Sequence, residues 1–269
     1  MYEFDEDTRL VSVSEDRFDC ELSPRWNIGA VPNGGYVMAV AQRGLSELLP
    51  HPDMLTVSGH YLLPTQAGPA TLLCERVREG RGTSTAMVRL VQDDRERARF
   101  IGTAGRFDEG RSPDDHHHAG PPQEIPPPEQ CVISPQSAPQ PSIRQRFDVR
   151  HAPASSGWMR EEGEGRACSG GQIRFADGRP ADVASLAIFC DSYQPTIVNH
   201  FGRHTGWVPT LQLTTQYRAR PVDGYLRAWF VTRHLTGGLH EEDGELWDES
   251  GTLVALSRQL ARVRLPDAN

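Results

Sequence analysis

NGGYVMAVAQRGLSELL at 33–49 and ADVASLAIFCDSYQP at 181–195 decide the fold, because each reads as a helix and each precedes the same succession of strands. TVSGHYLLPTQAGPATLLCERV and MVRLVQDDRERARFIGTAGRF follow the first. LQLTTQYRARPVDGYLRAWFVTRHL and GELWDESGTLVALSRQLARVRL follow the second. The order of elements recurs at a separation of roughly 150 residues. Pro64 and Pro221 end corresponding strands, and Gly68 and Gly224 open the next ones. The turn at Asp93-Asp94 matches the one at Asp248-Glu249-Ser250-Gly251. TSTAMVRLVQ and GYLRAWFVTRHL alternate as antiparallel strands do. Two tandem copies of one α+β unit are predicted, each a central helix wrapped by an antiparallel sheet. The copies differ where chemistry could sit: Arg43 follows AVAQ in the first helix, and Asp191 follows AIFC at the corresponding place in the second.

The first unit is expected over 1–107, with a strand-bearing lead-in over 1–25. Residues 108–142 are rich in Pro, Ser and acids and aperiodic, and read as an exposed linker. The second unit is expected over 143–269, with strands at RQRFDVRHA and GGQIRFADGRP ahead of its helix. In that helix Val183, Leu186, Ala187 and Cys190 recur at i, i+3, i+4 and i+7, an apolar stripe that Asp191 borders. A carboxylate beside a buried face is costly unless satisfied, so Asp191 calls for a partner or a task.

Composition excludes several classes. The net charge of −8 argues against general nucleic-acid binding. All 28 basic residues are Arg, which removes Schiff-base lysine chemistry and the lysine-bearing phosphate loop. The five cysteines form no CxxC pair, so neither a disulfide framework nor a zinc site is indicated, and no metal or other cofactor is expected. The acidic start MYEFDEDTRL is no signal peptide, and no apolar run reaches the ~20 residues that span a bilayer, so the expected location is the cytoplasm, away from membranes. His116-His117-His118 reads as a solvated tract rather than a metal site. No GxSxG elbow or GxGxxG loop is present.

Five stretches carry a resemblance: WNIGAVPNGGY at 26–36, HYLLP at 60–64, FCDS at 189–192, TLQLTTQYRARP at 210–221 and VALSRQL at 254–260. In order and spacing they resemble the acyl-CoA thioesterase II family and its thioesterase-like relatives, across nearly the whole chain apart from the linker. The resemblance implies a double hot-dog fold, hydrolysis of an acyl-CoA substrate, and a site of Asp191, Thr210 and Gln259 around an attacking water. Two departures stand out. Gln212-Leu213 occupies the place of a frequent Asp-His pair, and the strand runs one residue longer before Pro221. Leu260 stands where Glu is common.

The residue types suit the chemistry. A half-buried Asp is a stronger base than a free one, and Thr and Gln orient water without titrating. Thr210, Gln212 and Thr214 share a face by the period of two, so Thr214 competes with Thr210. The Gly34 and Gly35 amides open a helix without intrahelical acceptors, and are candidates to bind the substrate and its oxyanion. The competing reading of Asn33-Gly34-Gly35 is a plain helix cap. Arg218, Arg220 and Arg227 read as coenzyme A phosphate contacts or as a solvated face. Two other functions use the same scaffold: non-hydrolytic acyl-CoA binding, and dehydration of a 3-hydroxyacyl thioester, for which His200-Phe201-Gly202 is the nearest motif. Hot-dog units associate through their sheets, so a homo-oligomer, a dimer of double units, is also expected.

Overall fold

The computed structural model describes residues 1–107, 120–122, 124–133, 142–159, 163, 165–202 and 205–263. Its strands are β1 (Val11–Ser14), β2 (Arg17–Leu22), β3 (Asn27–Ile28), β4 (Val31–Pro32), β5 (Asp53–Tyr61), β6 (Gly68–Arg78), β7 (Ser84–Gln92), β8 (Arg95–Gly105), β9 (Val132–Ile133), β10 (Phe147–His151), β11 (Cys168–Phe175), β12 (Thr210–Tyr217), β13 (Leu226–Val231), β14 (Leu235–Thr236), β15 (Leu239–Trp247) and β16 (Leu253–Arg262). The α-helices are α1 (Glu3–Asp7), α2 (Gly34–Leu48), α3 (Leu186–Phe189) and α4 (Thr196–Phe201).

One antiparallel sheet runs in the order β1-β2-β6-β7-β8-β5-β12-β16-β15-β13-β11-β10-β9. Its middle is the β5–β12 pair, where Val57 lies opposite Thr215, Ser58 opposite Thr214 and His60 opposite Gln212. Outward from that seam β8, β7, β6 and β2 succeed one another on one side, and β16, β15, β13 and β11 on the other. The duplication read from sequence is thus a two-fold repetition of topology about the seam, a double hot-dog. Both central helices lie inside the curve. Tyr36 through Ala41 of α2 and Leu186 through Phe189 of α3 are fully buried. The β7–β8 turn is tight because Asp93 and Asp94 both adopt positive φ, 50° and 56°, as a two-residue hairpin of this hand requires.

The second helix departs from expectation. Instead of spanning 181–195, it is a single turn over Leu186–Phe189, and a separate helix, α4, begins after Pro195. Asp182 and Ser185 cap each other at its start: the Ser185 amide donates to Asp182 Oδ1 and the Asp182 amide to Ser185 Oγ, both at 2.9 Å. Its ends are tightened by i to i+3 bonds, Ile188 N to Ser185 O and Asp191 N to Ile188 O, both at 3.1 Å. All four of its residues are enclosed, so Leu186–Phe189 is a fully buried plug rather than one face of a long helix, and Val183 of the expected stripe lies outside it, partly buried. Asp191 lies just past the turn.

The linker expectation also shifts. Residues 108–119, with the His116-His117-His118 tract, lie outside the described residues, as do 134–141. Among the described part of 108–142, β9 pairs with β10, and Ile125 is buried against Ala152, Cys168 and Trp229. That stretch belongs to the second unit's half of the sheet rather than to an exposed connection. The lead-in holds a helix that the sequence reading lacked: Phe4 of α1 is buried against the rings of Trp26 and Phe175. No helix among the described residues is long and apolar enough to cross a membrane.

Gly35 sets how closely α2 and α3 meet. A Cβ there would stand 2.5 Å from the Ala187 carbonyl and 2.8 Å from Asp191 Cβ. Gly35→Ala therefore forces the helices apart, and is expected to destabilise the fold by ~1–3 kcal/mol, the usual cost of overpacking. Urea unfolding should show a lower midpoint at unchanged slope.

Candidate active site

Asn33 caps α2: its Oδ1 accepts the Tyr36 amide at 2.9 Å. With the oxygen committed, its Nδ2 must meet an acceptor. That nitrogen donates to Asp191 twice, to the main-chain carbonyl at 2.7 Å and to carboxylate Oδ2 at 2.9 Å. The Gly35 amide donates to the same Oδ2, also at 2.9 Å. A carboxylate from the second unit therefore closes the start of the first unit's helix, at the positive end of its dipole. The other oxygen, Oδ1, faces Gln259 Nε2 at 3.4 Å. The same Nε2 makes a short hydrogen bond to Thr210 Oγ1. Asp191, Thr210 and Gln259 meet at one point.

The choice between Thr210 and Thr214 falls to local geometry. The pairing of β12 with β16 slips between Thr210 and Gln212, a β-bulge. Parity fails across it. Thr210 joins Gln259, whereas Thr214 bonds Ser58 and Gln212 elsewhere on the sheet.

Burial raises the Asp191 carboxyl from 3.8 to about 6, against the pull of the Gly35 amide, the Asn33 side chain and the Gly34 amide, which all favour the charged form. The two glycines differ in place. Gly34 lines the adjoining cleft. Gly35 sits behind it, with its amide engaged by Asp191 rather than open to an oxyanion. Tyr61 donates its hydroxyl to the Gly34 carbonyl at 2.7 Å, so one peptide unit is held at both ends, by Tyr61 and by Asp191.

The cleft encloses about 420 Å³ between the β3–β4 hairpin, the Leu62–Thr65 connection, α4 and the 206–211 segment. Its walls are apolar, with Ile28, Val31, Leu62, Val198 and Val208, and Asp191 is the one Asp or Glu among the described lining residues. No histidine lines it among those residues, and His200 is exposed and bonded to the Gly165 carbonyl at 2.7 Å. Arg218, Arg220 and Arg227 lie off the cleft, and Arg220 pairs with buried Asp53 at 2.5 Å.

Sequence reading missed three contributors. Asn33 was seen only as part of a cap, and Tyr61 only as part of a motif. Glu242 is buried opposite Gln259 on the neighbouring strand and accepts the Thr196 amide at 2.8 Å. Burial lifts its carboxyl to about 7, with Asp191 adding repulsion.

A raised folded-state value means that the folded protein holds the Asp191 proton more tightly than the unfolded chain does. The stability linked to that proton is full below about pH 4 and is lost as pH rises through about 6. Asp191→Asn, which cannot ionise, should therefore be more stable than the parent at pH 8 by up to ~2–3 kcal/mol, with the gain vanishing at low pH. Urea midpoints across pH 4–8 check this; a constant difference would refute it.

The family model described as acyl-CoA thioesterase N-terminal domain matches residues 22–106, and that described as acyl-CoA thioesterase C-terminal domain matches 128–263. A "putative thioesterase II" from Thermobifida fusca YX is 31% identical, with 98% of each chain covered and a TM-score of 0.89. An uncharacterized Mycobacterium tuberculosis protein is 28% identical over 91% of this chain and 90% of its own length. A hot-dog protein of unknown function from Alicyclobacillus acidocaldarius, 23% identical with a TM-score of 0.86 over 99% of each chain, shares the fold. With the two family models matching in order on either side of the seam where Asp191 meets α2, the chain belongs to the acyl-CoA thioesterase family.

Proposed function

We propose that the protein hydrolyses acyl-CoA thioesters to a free acid and coenzyme A, with Asp191 as general base on a water positioned by Thr210 and Gln259. The observation that carries this reading is the division of labour between the two Asp191 oxygens. Oδ2 is saturated by Asn33 and Gly35, and Oδ1 faces Gln259 beside the cleft. A carboxyl near 6 is ionised at neutral pH yet more basic than a free one. The water's oxygen bonds to the thioester carbon as its proton passes to Oδ1. The carbon–sulfur bond then breaks, and the proton returns to the departing thiolate. Gly34, at the positive end of α2 and on the cleft wall, is the substrate-binding position, its amide shared between Asp191 and the developing oxyanion, and Gly35 serves by holding Asp191.

The 3-hydroxyacyl dehydratase reading lacks support, because the described cleft residues include no histidine. The cytoplasmic setting rests on five free cysteines. Association of double units would use the sheet, whose terminal strands β1 and β9 are edges.

Asp191→Asn should lower turnover by ~10²–10⁴ with the fold retained, the scale of a lost general base. Thr210→Val and Gln259→Ala should cost less, and the losses should not add, because all three act on one water. The acidic limb of the parent's pH–rate profile should fall near 6 and persist in Arg43→Ala. Thiol release from short, long and aromatic acyl-CoAs measures this. Near-normal hydrolysis by folded Asp191→Asn would end the water-activation reading, and binding without hydrolysis by the parent would favour an acyl-CoA carrier.

A further inference from the structure

Glu242 is a carboxyl in unfavourable surroundings. It is buried on the inner face of β15, and among the described residues no cation pairs with it. Such a group destabilises a fold unless the structure uses it. Its hydrogen-bond partner is Thr196, the first residue of α4, whose amide donates to Oε2 at 2.8 Å. Thr196 Oγ1 in turn meets Thr232 Oγ1 at 2.6 Å, and Thr232 donates to the Glu241 carbonyl, also at 2.6 Å. The start of α4 is thereby tied to β15. Its far half is tied elsewhere, by Asn199 to the Trp158 amide and the Arg166 carbonyl. Pro195 and Val198, which flank Thr196, are walls of the cleft. Gln259 lies directly opposite Glu242 on β16, and opposed side chains leave a sheet on the same face with their Cβ atoms ~5 Å apart. One buried carboxyl therefore stands between an apolar wall of the cleft and the strand that carries Gln259. Of the ionisable groups around it, Asp191 repels its charge, and His240, two residues back on the same face, is pushed toward its neutral form by burial. Glu241 and Asp243 face the other way, Asp243 toward Arg233 and Arg258.

We propose that Glu242 is a positioning residue that sets acyl specificity: by holding the first turn of α4, it fixes the wall against which the acyl chain lies relative to Asp191, Thr210 and Gln259. This rests on the thioesterase reading of the cleft. The thioester belongs at Asp191, and apolar walls suit the acyl chain rather than the polar arm of coenzyme A. The influence of Glu242 should therefore grow with chain length.

The test separates the acceptor from the charge. Glu242→Gln keeps an oxygen for the Thr196 amide, and Glu242→Leu removes it. Across acetyl-, hexanoyl- and decanoyl-CoA, Glu242→Leu should raise KM for decanoyl-CoA by ~5–10-fold and leave acetyl-CoA within about twofold, with kcat little changed. Glu242→Gln should bring KM back to within about twofold of the parent. Thr196→Pro covers the case in which Glu242→Leu does not fold. It deletes the donating amide at a first helical position that tolerates proline, after a residue already extended at φ −49°, ψ 134°, and should show the same dependence on chain length. The acidic limb near 6 should persist in all three variants, because Asp191 titrates there while Glu242, lifted to about 7, still holds its proton. Equal losses at every chain length, or a Gln variant as impaired as Leu, would reduce Glu242 to a structural cap and overturn the proposal. Loss of the limb would make Glu242 the base and overturn it as well. Calorimetry with S-ethyl- and S-decyl-CoA, thioethers that resist hydrolysis, repeats the comparison. If the parent hydrolyses no thioester, the hydrolytic reading has failed and these thioethers decide alone. Decyl affinity weakened in Glu242→Leu and kept in Glu242→Gln upholds the tie; equal affinity in all, or no binding by the parent, overturns it.

Discussion

The seating of the Asp191 carboxylate on the first turn of α2 is the contact around which the rest of the structure is arranged. It joins the two units beside the cleft. It requires a glycine at 35, because the space of a side chain there is filled by the Ala187 carbonyl and by Asp191 itself. It requires an asparagine or its equivalent at 33, because that side chain must accept from the helix and donate to the carboxylate at once. The opposite end of the Gly34–Gly35 peptide is anchored by Tyr61, on the strand that pairs across the seam. Seam, helix start and carboxylate thus hold one another in place.

A duplicated unit creates two such helix starts, and they have diverged. Arg43 was expected to stand where Asp191 stands, and in the structure it points to a different kind of site. It pairs with Asp5 at 3.3 Å, Asp5 with Arg179 at 2.7 Å, and Arg179 with Asp182, the capping acid of α3, at 2.7 Å. Arg179 also lies over the rings of Phe4 and Phe175. The N-terminal helix α1 packs on this side, with Phe4 against the rings of Trp26 and Phe175 and Asp5 between Arg43 and Arg179. The asymmetry seen as a single exchanged residue is a closed ion network on one side and an open cleft on the other.

The strand pattern and the repeat were legible because they rest on period and order; the trio came only from the family resemblance. Alternation survives burial, and the order of elements recurs in both copies. What failed depended on tertiary context. The apolar run around Leu186 reads as one face of a helix, yet a segment enclosed on every side needs no periodicity, and here it holds one turn. The bulge at Thr210 breaks the parity by which Thr210 and Thr214 were equivalent. Glu242 sits in HEEDGE, a run that looks solvated, because alternate members of an acidic strand face opposite ways and only the pairing with β16 shows which turn inward. Phe4 gave no signal at all, since five residues are too few for a pattern.

Two opposed effects set the chemistry available to Asp191. Burial alone would push the acid further toward its protonated form. The amides and Asn33 alone would leave a carboxylate too weakly basic to help. Together they bring it to about 6. Hydrogen-bond valence then narrows the geometry. Gln259 Nε2 reaches both Asp191 Oδ1 and Thr210 Oγ1, so Thr210 is an acceptor toward Gln259 and its own hydroxyl hydrogen is left to point elsewhere. Within the trio that O–H is the donor not already committed to a partner in the trio. A water between Oδ1 and Thr210 would find an acceptor for its proton on one side and a donor to its lone pair on the other. Under the proposed hydrolysis, that pairing would orient the oxygen for attack without any group leaving its resting position.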